Sequence, residues 1–128
     1  MKRLFFTILT ALIFSIPALA QQGKQLEAVK VGYITNKLDL SAEEAQRFWP
    51  VYHNYEREMR EVIKQRNKER KSGATVDELK YETQILNIRK KYKKEFSEVL
   101  PASKVALVFQ AERDFREQLI KELRGRRN

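Results

Sequence analysis

One long stretch of the chain carries a strong signal for a single helix. Glu44 follows Ser41 at the spacing of a capping box, which marks a helix N-terminus. Apolar side chains then recur at helical spacing along one face: Ala45, Phe48, Trp49, Tyr52, Tyr55, Met59, Val62 and Ile63. The pattern predicts a helix of about 30 residues. It should end at residues 71–73 and bend at Pro50, where one helical hydrogen bond is missing.

The rest of the chain has the same helical period, and no segment alternates as a half-buried strand would. A shorter first helix is predicted by Leu26, Val29, Tyr33, Ile34 and Leu38. Thr75 and Glu78 form a second capping box, which is predicted to open a third helix after a turn at residues 72–74. Pro101 separates a fourth helix, for which Gly125 is the predicted C-cap. The predicted fold class is all-α, an elongated four-helix hairpin or bundle with a long kinked second helix.

The first 20 residues differ from the rest of the chain. Two basic residues precede an apolar run over residues 4–16, and Ala18-Leu19-Ala20 has the small-x-small pattern of a signal peptidase site. A retained membrane anchor is the alternative interpretation. The run is shorter than the roughly 20 residues that span a bilayer, however, and Pro17 interrupts it. We therefore expect a signal peptide over residues 1–20, cleaved after Ala20, and a single exported helical domain over residues 21–128.

The composition narrows the classes of partner. The 128 residues include 26 basic and 17 acidic ones, which gives a formal net charge of +9. The predicted signal peptide contains two of the basic residues and none of the acidic ones, so the mature chain would carry +7. An exported chain rarely meets nucleic acid, so acidic polypeptides or anionic envelope surfaces are the expected partners. The absence of cysteine argues against both a disulfide-dense scaffold and a lipid anchor, and no stable membrane insertion is expected.

Recognisable motifs for catalysis are missing from the sequence. It contains one histidine, His53, and it has no cysteine nucleophile, glycine-rich phosphate loop or serine at a nucleophile turn. His53 could join Glu56 or Glu58 as a metal ligand, but a lone histidine on a helix is more often structural or solvated. We expect a protein that is not an enzyme and that has no cofactor and no metal site.

Two groups of side chains are candidates for contact with a partner. The apolar group shares one helix face and consists of Phe48, Trp49, Tyr52, Tyr55 and Met59. Core packing and contact with a client or a second subunit both stay open for it. The charged group is Arg89, Lys90, Lys93 and Lys94. Antiparallel pairing about Gly73 would place residue 57 near residue 90 and residue 66 near residue 81. The basic residues at positions 89–94 would then outnumber the acidic residues opposite them. That excess is either a solvated face or a strip that attracts acidic segments.

Two short motifs give the chain a family resemblance. Leu40-Ser41-Ala42-Glu43-Glu44 resembles the LTxxQ motif, with serine for threonine and glutamate for glutamine. Leu100-Pro101-Ala102-Ser103-Lys104 resembles a more divergent second copy. With the signal peptide, the basic cysteine-free helical chain and the segments RFWPVY and KKEFSEVLP, they resemble the Spy/CpxP-like family of small periplasmic proteins. The resemblance is to the branch described as sensors of ECF-type sigma factors in particular.

This resemblance implies a periplasmic protein with a bent helical hairpin, paired into a cradle-shaped homodimer. It implies an ATP-independent chaperone or a sensor of the envelope stress response. The implied partners are unfolded or acidic and apolar client proteins, or a membrane stress sensor. The alternative is a dedicated regulatory or metal-responsive partner of an ECF-type sigma factor system without general chaperone activity. By the same resemblance, Ser41 and Glu44 are structural helix caps.

Overall fold

A computed structural model describes residues 18–127, and every regular element in that range is an α-helix. The helices are α1 (Ala18–Lys37), α2 (Ala42–Lys71), α3 (Glu78–Val99) and α4 (Ala102–Gly125). The predicted all-α class is thus confirmed for the described residues, whereas most of the predicted signal peptide, residues 1–17, lies outside them. Within the described part of the chain, no helix combines the length and the apolar composition needed to cross a membrane.

The chain divides into two compact units between Tyr33 and Ile34. In the first unit the structure describes only the first part of α1, where Leu26 and Val29 are 44% and 61% exposed. The second unit, residues 34–128, contains the end of α1 and the other three helices. The core lies in this second unit, and the candidate site is built on it.

The end of α1 forms a Schellman motif. The N–H of Asp39 donates to the carbonyl of Asn36, and the N–H of Leu40 donates to the carbonyl of Thr35, both at 3.1 Å. Asp39 has a φ of 47°, which is the left-handed conformation that this helix end requires and that aspartate tolerates. The preceding side chain, Leu38, is 2% exposed and so fixes the turn in the core.

The start of α2 confirms the first predicted capping box. The N–H of Glu44 donates to Ser41 Oγ (3.1 Å), and the N–H of Ser41 donates to Glu44 Oε1 (3.0 Å). The helix then continues through Pro50 to Lys71. Proline has no N–H to donate to the carbonyl of Gln46, and the bend at this point stays a prediction.

The start of α3 corrects the second predicted capping box. The N-cap is Asp77, whose Oδ1 accepts from the N–H of Lys80 at 3.1 Å, and Thr75 lies outside the helix and caps nothing. The carbonyl of Val76 accepts from the N–H of Glu78 in a tight turn (3.1 Å), so the helical pattern cannot begin earlier. Glu78 is therefore the first helical residue rather than the third, and its carboxylate cannot fold back onto a Thr75 cap.

The hairpin turn between α2 and α3 lies where the sequence placed it. Ser72 is the C-cap of α2, and Gly73 has a φ of 81°, a conformation that costs glycine little because it has no Cβ. At the other end of α3, Leu100 is extended, as expected before a proline. Gly125 is the last residue of α4 rather than its C-cap, because Arg126 takes that position in a right-handed conformation.

Aromatic side chains dominate the core between α2, α3 and α4. Its buried members are Ile34, Leu38, Phe48, Tyr52, Tyr55, Tyr81, Tyr92, Phe96, Leu100, Val105, Val108, Ala111 and Phe115. The rings of Phe48 and Phe96 lie 5.3 Å apart and those of Tyr55 and Tyr92 lie 5.4 Å apart between centroids, so α2 and α3 are joined ring to ring. Such pairs add about 0.5–1.5 kcal/mol each beyond the area that they bury.

Candidate functional site

The basic residues predicted on α3 border a groove between α3 and α4. The groove has a volume of about 700 Å³ and is lined by Lys90, Lys93, Lys94, Ser97, Ala102, Val105, Ala106 and Phe109. We call it the α3–α4 groove. Three of the four predicted charged contact residues therefore lie together at its edge.

The two walls of the groove differ in chemistry because of the local sequence of each helix. Lys90, Lys93 and Lys94 are three and four residues apart, so their side chains emerge on one face of α3. On α4 the alanines Ala102 and Ala106 leave space that larger side chains would fill. The result is a cationic wall on α3 facing an apolar wall on α4.

The three lysines have no carboxylate partner among residues 18–127. All three side chains are exposed, and no described residue forms an ion pair with any of them. Lys91, which points across the hairpin, differs from them because its Nζ lies 2.9 Å from Glu58 Oε1. This hydrogen bond raises the pKa of Lys91 and lowers that of Glu58. The cross-hairpin pairing predicted from the sequence is confirmed here, and Lys90, Lys93 and Lys94 contribute excess positive charge on α3.

Arg89 does not belong to the groove. It is half-buried beside Tyr55, and its positive charge opposes the rise in the pKa of that hydroxyl. Its Nε is buried and has no hydrogen-bond partner among the described residues. The structure therefore separates Arg89 from the three lysines with which the sequence grouped it.

The predicted apolar contact group is mostly core. Phe48 and Tyr52 are fully buried and Tyr55 is 1% exposed, so the structure places these three side chains in the core and not on the surface where a partner would meet them. They are covered because α3 and α4 both pack against this face of α2. Phe96 of α3 contacts Phe48 and Tyr55, and Phe109 of α4 contacts Tyr55. Trp49 and Met59 are half-buried and remain accessible in part.

A glutamate that sequence reasoning missed holds α4 against α2. Tyr52 donates its hydroxyl hydrogen to Glu112 Oε1 at 2.6 Å, and Tyr55 donates to Glu112 Oε2 at 3.1 Å. Burial raises the pKa of both hydroxyls, and the Glu112 charge raises it further. We call these three residues the tyrosine–glutamate clamp. The two tyrosines lie three residues apart on one face of α2, but no sequence signal indicated which acceptor would meet them.

Phe109 connects the groove with this clamp. It lies one helical turn before Glu112 on α4, and it lines the groove. Its ring centroid is also 5.8 Å from that of Tyr55 and 6.1 Å from that of Phe96. The apolar wall of the groove is therefore positioned by the aromatic core and by the clamp, rather than by flexible surface residues.

The two LTxxQ-like segments meet in the structure. Their fifth residues, Glu44 and Lys104, form an ion pair of 2.8 Å between the starts of α2 and α4. The Lys104 hydrogen bond, followed by the bond to the Ser41 backbone, lowers the pKa of Glu44 to about 2. Lys104 also donates to the carbonyl of Asp39 at 2.5 Å. Lys104 thus connects the end of α1 with the starts of α2 and α4.

His53 makes a local contact on α2. Its Nδ1 lies 3.2 Å from Glu56 Oε1, one turn further along the helix, while Glu58 is engaged by Lys91. The sequence offered His53 and Glu58 as one possible pair of metal ligands. In the structure, His53 contacts Glu56 and Glu58 pairs with Lys91. The expectation that the protein has no metal site stays a prediction.

Comparisons of this chain with protein-family models, with curated proteins and with solved structures gave no match. The resemblance to the Spy/CpxP-like family therefore stays a prediction from the sequence.

Proposed function

We propose that this protein is a non-enzymatic periplasmic binding protein of the envelope stress response that holds segments of client proteins without ATP, as a chaperone or a stress sensor. The observation that carries this proposal is the α3–α4 groove. It combines three lysines, which no carboxylate of the described part of the chain pairs with, and an apolar wall formed by Val105 and Phe109. Unfolded segments that carry acidic and apolar residues complement both walls.

The physical character of the groove suits capture and release without an energy source. Exposed ion pairs contribute about 0–1 kcal/mol each, so a segment held by them exchanges readily. Positive charge in excess raises the rate of encounter with acidic chains, and this effect weakens as salt screens it. Binding at the groove should therefore be fast, weak and sensitive to ionic strength.

A second candidate is the dedicated partner of an ECF-type sigma factor system. The burial of Phe48, Tyr52 and Tyr55 favours it, because the apolar surface left for clients is smaller than the sequence indicated. A groove of about 700 Å³ is large enough for one short segment. A protein that recognises a single sequence could therefore use the same groove as a chaperone with many clients.

The test is light scattering of two unrelated aggregating proteins in the presence of the purified protein. The variant Lys90→Ser/Lys93→Ser/Lys94→Ser removes the cationic wall. Its matched control, Lys64→Ser/Lys68→Ser/Lys71→Ser, removes the same charge from exposed α2 lysines that lie outside the α3–α4 groove, along a separate surface depression. We expect wild type and control to protect both clients and the groove variant to protect neither. Protection of one client only would favour the dedicated partner, and equal losses in the two variants would refute a role for the groove.

The homodimer and the export belong to the same proposal. Leu79 and Leu86 lie seven residues apart on α3 and are 73% and 51% exposed, which leaves apolar side chains available to a second copy. Sedimentation of the protein and of Leu79→Glu/Leu86→Glu would test the dimer, which the double variant should weaken. The mass of the protein recovered from the periplasm would test cleavage after Ala20.

A further inference from the structure

The α3–α4 groove is short along its axis. Its lining extends over residues 90–97 of α3 and 102–109 of α4. Seven residue steps of a helix cover about 10 Å, so the groove is about two helical turns long. An extended chain advances about 3.3 Å per residue, so three or four extended residues match the length of the groove.

An extended chain also matches the difference between the two walls. Successive side chains of an extended segment point to opposite sides. When such a segment lies along the groove, every second side chain faces Lys90, Lys93 and Lys94 on α3, and the intervening ones face Val105 and Phe109 on α4. Carboxylates complement the first wall and apolar side chains complement the second.

We propose that the α3–α4 groove binds an extended peptide segment of three or four residues in which acidic and apolar side chains alternate. The inference rests on the proposed function, since it names the class of segment that the client site recognises. It adds that the order of residues matters as well as the composition. A segment with its acidic residues in one block would place at least one carboxylate against the apolar wall, where no described cation receives it.

Two peptides of identical composition test this proposal. One has the central sequence Glu-Leu-Glu-Leu and the other Glu-Glu-Leu-Leu, both between the same glycine and serine residues and with the same fluorescent label. Titration with the purified protein, followed by fluorescence anisotropy, should show about tenfold tighter binding of the alternating peptide, since it gains a second ion pair and a buried leucine. Lys90→Ser/Lys93→Ser/Lys94→Ser should abolish this preference, and the α2 lysine control should keep it.

A second variant blocks the groove without removing charge. Ala106 is exposed on the α4 wall, so Ala106→Gln fills the groove and leaves the core untouched. It should weaken binding of the alternating peptide about tenfold, while Ala28→Gln, at an exposed position of α1, should not. Circular dichroism would show that both variants keep the helical content of wild type.

The outcomes separate this proposal from the proposed function. Equal affinity of wild type for the two peptides would overturn the alternation, even if the lysine variant loses client protection. A clear preference for the alternating peptide without client protection would support the groove and refute the chaperone. Vesicles of anionic phospholipid should not displace the alternating peptide, and displacement that depends on the same three lysines would overturn the proposal in favour of a lipid surface.

Discussion

Replacing Glu112 measures how strongly α4 is held against α2. The carboxylate accepts hydrogen bonds of 2.6 Å from Tyr52 and 3.1 Å from Tyr55, whose side chains are 0% and 1% exposed. A hydrogen bond to a charged group contributes about 1.5–3 kcal/mol, and a buried polar group that loses its partner costs about 1–3 kcal/mol. Contributions within one network do not add fully. We therefore expect Glu112→Ala to lower the free energy of unfolding by about 3 kcal/mol.

Urea denaturation followed by circular dichroism is the assay. A loss of about 3 kcal/mol corresponds to a midpoint shift of about 1–3 M at the m-values typical of small domains. Glu117→Ala is the matched control, because Glu117 lies on the same helix and is exposed. Tyr55→Phe should cost about 1–2 kcal/mol, less than the loss of the shared acceptor. If Glu112→Ala falls within about 0.5 kcal/mol of the control, the tyrosine–glutamate clamp does not hold α4 and the reasoning is wrong.

Three further predictions concern the helix starts and the tyrosines. Asp77→Ala should lower the free energy of unfolding by about 1 kcal/mol, whereas Thr75→Ala should change it little, as thermal unfolding would show. Glu44 has a folded pKa of about 2 against an ordinary value of 4.5, so its contribution to the free energy of unfolding is present above pH 4.5 and is lost as the pH falls towards 2. Glu44→Gln should therefore flatten the dependence of stability on pH in this range. The pKa of Tyr81 is raised to about 12 by a hydrogen bond to Glu69 and by burial, and burial likewise raises that of Tyr92 to about 12. The contributions of these two tyrosines to the free energy of unfolding are complete below pH 10 and should be lost as the pH rises through 12. Tyrosinate absorbance would follow the ionisation, and circular dichroism would follow the loss of helix.

Each of these predictions has an outcome that contradicts it. Equal losses in the two cap variants would mean that the start of α3 is not fixed by Asp77. Glu43 lies in the same turn of α2 and is exposed, so Glu44→Gln should change the acid profile more than Glu43→Gln does, and an equal effect of both glutamine variants would remove the special role of Lys104. Ionisation of all the tyrosines near pH 10 while the helices persist would contradict their burial.

Sequence patterns predicted the features of the fold that depend on neighbouring residues. Ser41 and Glu44 satisfy a local hydrogen-bond pattern, and the capping box formed as expected. Antiparallel pairing about Gly73 placed residue 57 near residue 90, and the adjacent residues Glu58 and Lys91 do form an ion pair. The same kind of pattern was wrong at Thr75. A second capping residue, Asp77, lies two positions later, and the sequence does not indicate which of two nearby caps the backbone will use.

The candidate site could be predicted only in part, because it depends on where α4 packs. Helical period showed that Phe48, Tyr52 and Tyr55 share one face, but it could not show whether another helix or a partner covers that face. The contact of Tyr52 with Glu112 joins residues 60 positions apart. The three lysines were recognised as excess charge from the pairing of α2 with α3. The apolar wall that faces them was not recognised, since it comes from α4.

The most direct measurement is a nuclear magnetic resonance titration of the isotope-labelled protein with an unfolded client. Backbone amide shifts would locate the client on the chain, and the same titration at high salt would test the charge contribution. If the client binds in the α3–α4 groove, the largest shifts cluster at residues 90–97 and 102–109 and shrink as salt rises. Shifts confined to other parts of the chain, with these two segments unchanged, would contradict the claim that the α3–α4 groove is the binding site.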